Sequence, residues 1–141
     1  MTSSHHDIIV IGSGFSGLGM GIFLKKSGRN DFLILEKSTD FGGTWLDNDY
    51  PGAACDVPSH MYSYSFDQNP DWSRFYSGQA EILAYMKKCA SKYDLYPHFR
   101  GNSELIEARW SDADKRWQLK TGDGKAYTAR VVISGIGGLS R

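Results

Sequence analysis

The stretch Asp7-Ile8-Ile9-Val10-Ile11-Gly12-Ser13-Gly14-Phe15-Ser16-Gly17 decides the fold. Four β-branched aliphatic residues in a row, Ile8 to Ile11, are the composition of a strand buried on both faces of a parallel sheet. The glycine run opens directly from that strand. Leu18, Ile22 and Phe23 then recur at helical spacing until Ser27-Gly28, a C-terminal stop. Phe32-Leu33-Ile34-Leu35-Glu36 is a second buried strand. Strand, glycine turn, helix and strand make a βαβ unit, right-handed by the general rule for such crossovers.

A bare G-x-G-x-x-G carries little weight in a chain with 16 glycines, and the context is what gives it meaning. The motif follows a buried strand, opens a helix and has an acid, Glu36, at the end of the next strand. Each part has a task. Gly12 allows the tight turn, Gly14 lets the backbone approach a pyrophosphate, and Gly17 lets the helix pack close to the strand. The unpaired N–H groups and the dipole at the helix start favour the phosphate charge. Glu36 is placed to accept ribose hydroxyls. A carboxylate there disfavours a 2′-phosphate, so the site is expected to take FAD or NAD rather than NADP.

From Lys37 to Tyr76 regular periodicity vanishes. A loop of this length within a compact domain is usually functional, and short helical turns are expected there, packed by Trp45, Tyr50, Tyr62, Tyr64, Phe66, Trp72 and Phe75. A helix is expected from Ser77-Gly78, with Glu81 in its first turn, Ile82, Leu83, Met86, Ala90 and Tyr93 on one face, and Tyr96-Pro97 as its end. Glu104 to Trp110, Arg116 to Thr121 and Ala126 to Thr128, separated by turns at 111–114 and 122–124, read as a small antiparallel meander inserted in the α/β domain, at about 103–128. Ala129 to Ser134 reads as a further apolar strand, ending in Gly135-Ile136-Gly137-Gly138.

Composition narrows the function. Sixteen basic residues balance sixteen acidic ones, so no net field favours nucleic acid or an anionic membrane. Cys55 and Cys89 cannot form a disulfide framework. Met1 to Asp7 lacks the order of a signal peptide and reads as a solvated tail that includes His5 and His6; a cytoplasmic protein is expected. His60 and His98 have no partner at metal spacing, and no metal site is expected.

Gly42-Gly43-Thr44-Trp45, Tyr50-Pro51-Gly52-Ala53-Ala54-Cys55-Asp56 and Met61-Tyr62-Ser63-Tyr64-Ser65-Phe66 together closely resemble the Baeyer–Villiger monooxygenases, within the broader flavin-containing monooxygenases. Glu36-Lys37, followed by the Gly-Gly-Thr-Trp segment, is similar to the FAD-binding stretch of that family. The resemblance implies a Rossmann-like FAD-binding unit with Phe15 and Ser16 in its phosphate turn. It puts Gly43, Thr44, Trp45 and Tyr62 near the flavin, Leu105 by its backbone at the adenine, and Gly137 close to the dinucleotide. It sets Ala54 and Cys55 near the nicotinamide cofactor and gives Asp56 a catalytic part, assisting an arginine from elsewhere in the chain. It further implies hydride transfer from NADPH to FAD and reaction with O2. Through a C4a-peroxyflavin, a ketone would then become an ester or lactone.

Two departures stand out. Many relatives carry arginine where this chain has Ala54, and Ile136 replaces a common threonine. Residues 1–141 are expected to be the N-terminal part of a discontinuous FAD-binding domain, truncated before an NADPH domain, with an exposed sheet edge and no activity without the remainder of the enzyme chain. An N- or S-oxygenating flavin monooxygenase and a non-catalytic FAD-binding module are the alternatives.

Overall fold

The computed structural model describes residues 3–139; Met1, Thr2, Ser140 and Arg141 lie outside the described residues. The apolar run after the polar start becomes β1, Ser4–Ile11, and the glycine turn feeds α1, Phe15–Lys26. The second run becomes β2, Phe32–Leu35. A long irregular segment holds only α2, Thr44–Asp47, and a 3-10 turn at Ser59–Met61. Then come α3, Gln79–Lys92, the short β3, Phe99–Arg100, and the strands β4, Leu105–Ser111, β5, Arg116–Thr121, and β6, Ala126–Ser134.

All six strands join in one mixed sheet of order β3-β2-β1-β6-β5-β4. The neighbours from β3 to β6 are parallel, and β6-β5-β4 are antiparallel. This is an α/β, Rossmann-like arrangement with an antiparallel extension.

Alternation along the strands sends side chains to two faces. Ile8, Val10, Phe32 and Ile34 face one core, shared with Leu18 and Ile22 of α1 and with Ile82, Met86 and Ala90 of α3. Ile9, Ile11, Leu33 and Leu35 face the other, covered by Leu119, Tyr127 and Ala129 from the antiparallel strands. Both faces are therefore buried, which explains the unbroken aliphatic runs. Among the described residues, no helix is long and apolar enough to cross a membrane.

Several expectations need correction. His5 and His6 do not lie in a loose tail: they pair with Thr128 and Ala129 of β6, and His5 Nδ1 lies 2.6 Å from Thr128 Oγ1. The third meander strand and the following apolar strand are one strand, because β6 pairs with β5 through Ala126 to Ala129 and with β1 from Tyr127 to Ser134. Phe23 is 66% exposed, since Gly17, Leu18, Gly21, Ile22 and Leu24 fill the buried side of α1. On α3, Tyr85 and Cys89 are buried along with Ile82, Met86 and Ala90, whereas Leu83 and Tyr93 are only half-buried. Tyr50, Phe66 and Phe75 are exposed, whereas Trp45, Tyr62, Tyr64 and Trp72 pack against the helix-side core. His98 is structural: its ring stacks on Phe32 at 4.0 Å, and Nδ1 lies 3.0 Å from the Phe32 carbonyl oxygen.

The turn between β1 and α1 fixes the whole arrangement. A Cβ on Gly17 would sit 1.8 Å from the Gly12 carbonyl oxygen, a backbone atom with no freedom to move aside. Replacing Gly17 with alanine is expected to cost about 3 kcal/mol, the upper end of the usual overpacking range, because the added methyl forces the helix off the strand. Urea unfolding checks this, and a midpoint equal to that of the native protein would show that the turn relaxes instead.

Candidate dinucleotide site

The parallel strands β1, β2 and β6 all end on the same edge of the sheet, the place where open α/β sheets bind ligands. A cavity of about 480 Å³ lies there. Gly12, Gly14, Phe15 and Ser16 line it from the glycine turn, Glu36 and Lys37 from the end of β2, and Gly43, Thr44 and Trp45 from the entry to α2. Tyr62, Leu105 and Gly137 complete the set of expected residues on its wall. Gly17 is absent from the wall because it is consumed in packing.

The start of α1 is built for an anion. Gly14 is its N-cap, and no side chain caps it. The first N–H groups of a helix have no carbonyl to reach within it, so the donors of the first turn and the helix dipole point into the cavity unneutralised. The turn is held from behind by Tyr64, whose hydroxyl donates to the Phe15 carbonyl at 2.5 Å. Burial, with smaller effects from Cys89 and Tyr85, pushes the Tyr64 phenol up, so it stays a protonated donor. The Phe15 ring sits edge-on to Tyr62 and Tyr64, 5.1 and 5.4 Å between centroids.

Glu36 is buried at the end of β2. Its carboxylate accepts from the Ser13 N–H, the Ser13 hydroxyl and the Ser38 N–H, each at 2.8 Å. Three donors compensate the burial of the charge.

Gly43 brings the second loop against the first. Its φ of 51° is in the left-handed region, and a Cβ there would lie 2.7 Å from the Gly14 Cα. Beyond it, Trp45 is pinned at both ends: its indole N–H donates to the Tyr62 hydroxyl at 2.9 Å, and its carbonyl accepts from the Gln79 side-chain amide at the start of α3. Asp40 braces this loop from outside. Burial raises its carboxyl, but hydrogen bonds from Lys87, the Phe41 N–H and Tyr96 outweigh that and hold it below its ordinary value. Burial and the Asp40 charge in turn push the Tyr96 phenol up to about 12.

Ala54, Cys55 and Asp56 stand apart from the cavity wall. Cys55 is buried in the helix-side core, and its sulfur accepts from the Val57 N–H at 3.4 Å; Ala54 and Asp56 are exposed. The segment is tied to the start of α3 by the Ala54–Gly78 bridge and by the Gln79 N–H, which donates to the Ala53 carbonyl.

The cavity also includes residues that the sequence did not single out, Asp47, Ser103 and Glu104 among them, together with Ser13 from the glycine motif and Ile136, the position noted as a departure from the family. Ser13 lay in view inside the glycine motif, but only its contact with Glu36 gives it meaning. Ser103, whose N–H donates to the Glu36 carbonyl at 2.8 Å, arrives from 67 positions away with no local signal.

Comparison with known proteins agrees with this geometry. Residues 10–78 match the NAD(P)-binding Rossmann-like domain family. A Baeyer-Villiger monooxygenase of Pseudomonas aeruginosa is 49% identical over 96% of this chain, which covers 26% of that protein. An FAD-binding monooxygenase of Aspergillus niger is 41% identical over 94% of the chain, covering 24% of that protein. The crystal structure of cyclohexanone monooxygenase from Rhodococcus sp. Phi1 bound to NADP+ superposes with a TM-score of 0.92 at 34% identity, over 96% of this chain and 26% of that one. The chain thus spans about a quarter of the length of the curated relatives it matches.

The Asp40 brace sets a pH dependence. Its folded-state pKa lies below the ordinary 3.8, so its contribution to stability is complete above pH 3.8 and is lost as the pH falls through the lower folded value. Asp40→Asn is therefore expected to flatten the fall in unfolding midpoint between neutral and strongly acid pH. Denaturation measured across that range checks it, and an unchanged acid limb would show that Asp40 bears none of the sensitivity.

Proposed function

We propose that this chain, a relative of the Baeyer–Villiger monooxygenases over about a quarter of their length, is the N-terminal FAD-binding segment of an NADPH- and O2-dependent enzyme. That enzyme oxidises a ketone to an ester or lactone. The observation that carries the reading is the joint presence, on one cavity, of an uncapped helix start, a donor-held Glu36 and the Gly43–Trp45 wall.

The residues fit FAD. Gly14 and Gly43 present bare backbone to the cavity, so a pyrophosphate can reach the N–H groups of α1 without meeting a side chain. Glu36 would accept a hydrogen bond from a ribose hydroxyl, and the backbone at Leu105 would meet the adenine. Gly43, Thr44, Trp45 and Tyr62 would form the wall along the flavin. When bound, FAD supplies the redox and oxygen chemistry. This chain's residues bind the cofactor, hold its orientation and keep water from one side of it.

Asp56 is exposed here, as a residue that orients an arginine from outside the segment has to be, and a carboxylate beside a guanidinium stays ionised. Ala54 and Cys55 lie on the same stretch, and of the two the exposed Ala54 is the one that a nicotinamide cofactor would approach. Residues 1–141 would be one part of a discontinuous FAD-binding domain, with the NADPH domain supplied by another part of the polypeptide. Two unpaired thiols, Cys55 and Cys89, suit a cytoplasmic protein.

FAD titration of the purified protein, followed by flavin fluorescence, tests the reading. Stoichiometric binding with strong quenching is expected, and Trp45→Phe is expected to bind FAD while leaving the flavin roughly two- to fivefold brighter, because phenylalanine keeps the apolar wall but lacks the electron-donating indole that quenches the flavin. A protein that binds NAD but not FAD would overturn the reading. NADPH consumption by the enzyme that contains this segment, stimulated by ketones and not by amines, checks the oxygen acceptor.

A further inference from the structure

Ser13, between the first two glycines of the turn, is fully buried. Its hydroxyl and its own backbone N–H both donate to Glu36 Oε2, each at 2.8 Å. The Ser38 N–H donates to Oε1 at 2.8 Å. A carboxylate offers about four acceptor positions, two on each oxygen. Oε2 is thus saturated, and the open position belongs to Oε1. Ser13 is also tied to the neighbouring loop: its carbonyl accepts from the Gly42 N–H at 3.1 Å, and its hydroxyl lies 3.4 Å from the Asp40 carbonyl.

We propose that Ser13 is a positioning residue that sets the cavity's preference for an unmodified ribose, fixing the Glu36 carboxylate so that one acceptor, on Oε1, faces one ribose hydroxyl. The proposal rests on the reading of the cavity as a dinucleotide site. Without the hydroxyl, the carboxylate keeps one backbone donor on each oxygen, from Ser13 and Ser38, and an acceptor position opens on Oε2 that competes for the ribose hydroxyl. With the hydroxyl in place Oε2 is filled, so a ribose hydroxyl has one place to bind and a phosphorylated ribose meets a fixed negative charge. Discrimination then comes from the pair, not from Glu36 alone. Alanine at 13 keeps the backbone donor and fits the space, and it removes only the hydroxyl.

The test is calorimetric titration of the full-length protein and of its Ser13→Ala, Glu36→Gln and doubly substituted variants. The two probes are ADP and adenosine 2′,5′-bisphosphate. Ser13→Ala is expected to weaken ADP about fivefold while the bisphosphate holds its affinity, so the ratio of the two falls by a similar factor. In the Glu36→Gln background, Ser13→Ala is expected to change neither affinity, since its effect passes through the carboxylate. An unchanged ratio in Ser13→Ala overturns the proposal, as does a full, additive loss on top of Glu36→Gln. General loosening of the turn would lower both affinities together and leave the ratio intact, which also counts against it. Failure of the native protein to bind ADP or FAD overturns the dinucleotide reading itself, a result separable from native binding with no effect at Ser13.

Discussion

Backbone rests on backbone where α1 leaves β1. With hydrogen as its side chain, Gly17 comes close enough to the Gly12 carbonyl that a methyl group would lie 1.8 Å from the oxygen. That approach seats α1 on the sheet, brings Leu18 and Ile22 into the core beside Val10 and Ile34, and aims the first turn of the helix at the strand ends. The cavity is a result of this contact. Strands that end together leave a crevice, and a helix whose start cannot be capped by a side chain gives that crevice its positive rim.

Around this rim the remaining elements act as braces. Tyr64 holds the Phe15 carbonyl, Glu36 ties the glycine turn to the end of β2, and Gly43 lets the next loop touch Gly14. Trp45 is gripped by Tyr62 on one side and Gln79 on the other. The long irregular segment is therefore no passive connection. Some of its hydrogen bonds hold parts of the cavity that have no strand or helix to steady them, and others, such as those from the Ser59 hydroxyl to the Arg74 and Phe75 carbonyls, close the segment on itself.

What could be read in the sequence follows from how local its cause is. β1, α1, β2 and α3 announce themselves through aliphatic runs and helical spacing, because both depend on neighbours a few residues away. The glycine turn, Glu36 and the Gly43–Trp45 wall were legible as a motif and a resemblance. β3 was not, since two residues carry no period and Phe99 and Arg100 become a strand only by lying beside Ile34 and Leu35. His5 and His6 looked like a frayed end because their partners, Thr128 and Ala129, lie more than 120 positions away. Phe23 misled because the buried side of α1 is already filled by Gly17, Leu18, Gly21, Ile22 and Leu24, which leaves position 23 facing outward. Ser13 was in plain sight, yet its role depends on a hydrogen bond across 23 positions.

One strand, β6, is shared between two ladders. Its first half pairs antiparallel with β5 while the same strand runs parallel to β1, and its last residue leads into Gly135, whose N–H donates to the Ile11 carbonyl at 2.7 Å. Side-chain direction in a strand reverses with each residue, so a slip by one position would turn Tyr127 and Ala129 out of the sheet-side core. The same slip would carry Gly135 away from beneath the glycine turn. The meander's register thus sets the cavity floor: only a correctly aligned β6 places Gly135 beneath the glycine turn and keeps the Tyr127 ring in the core.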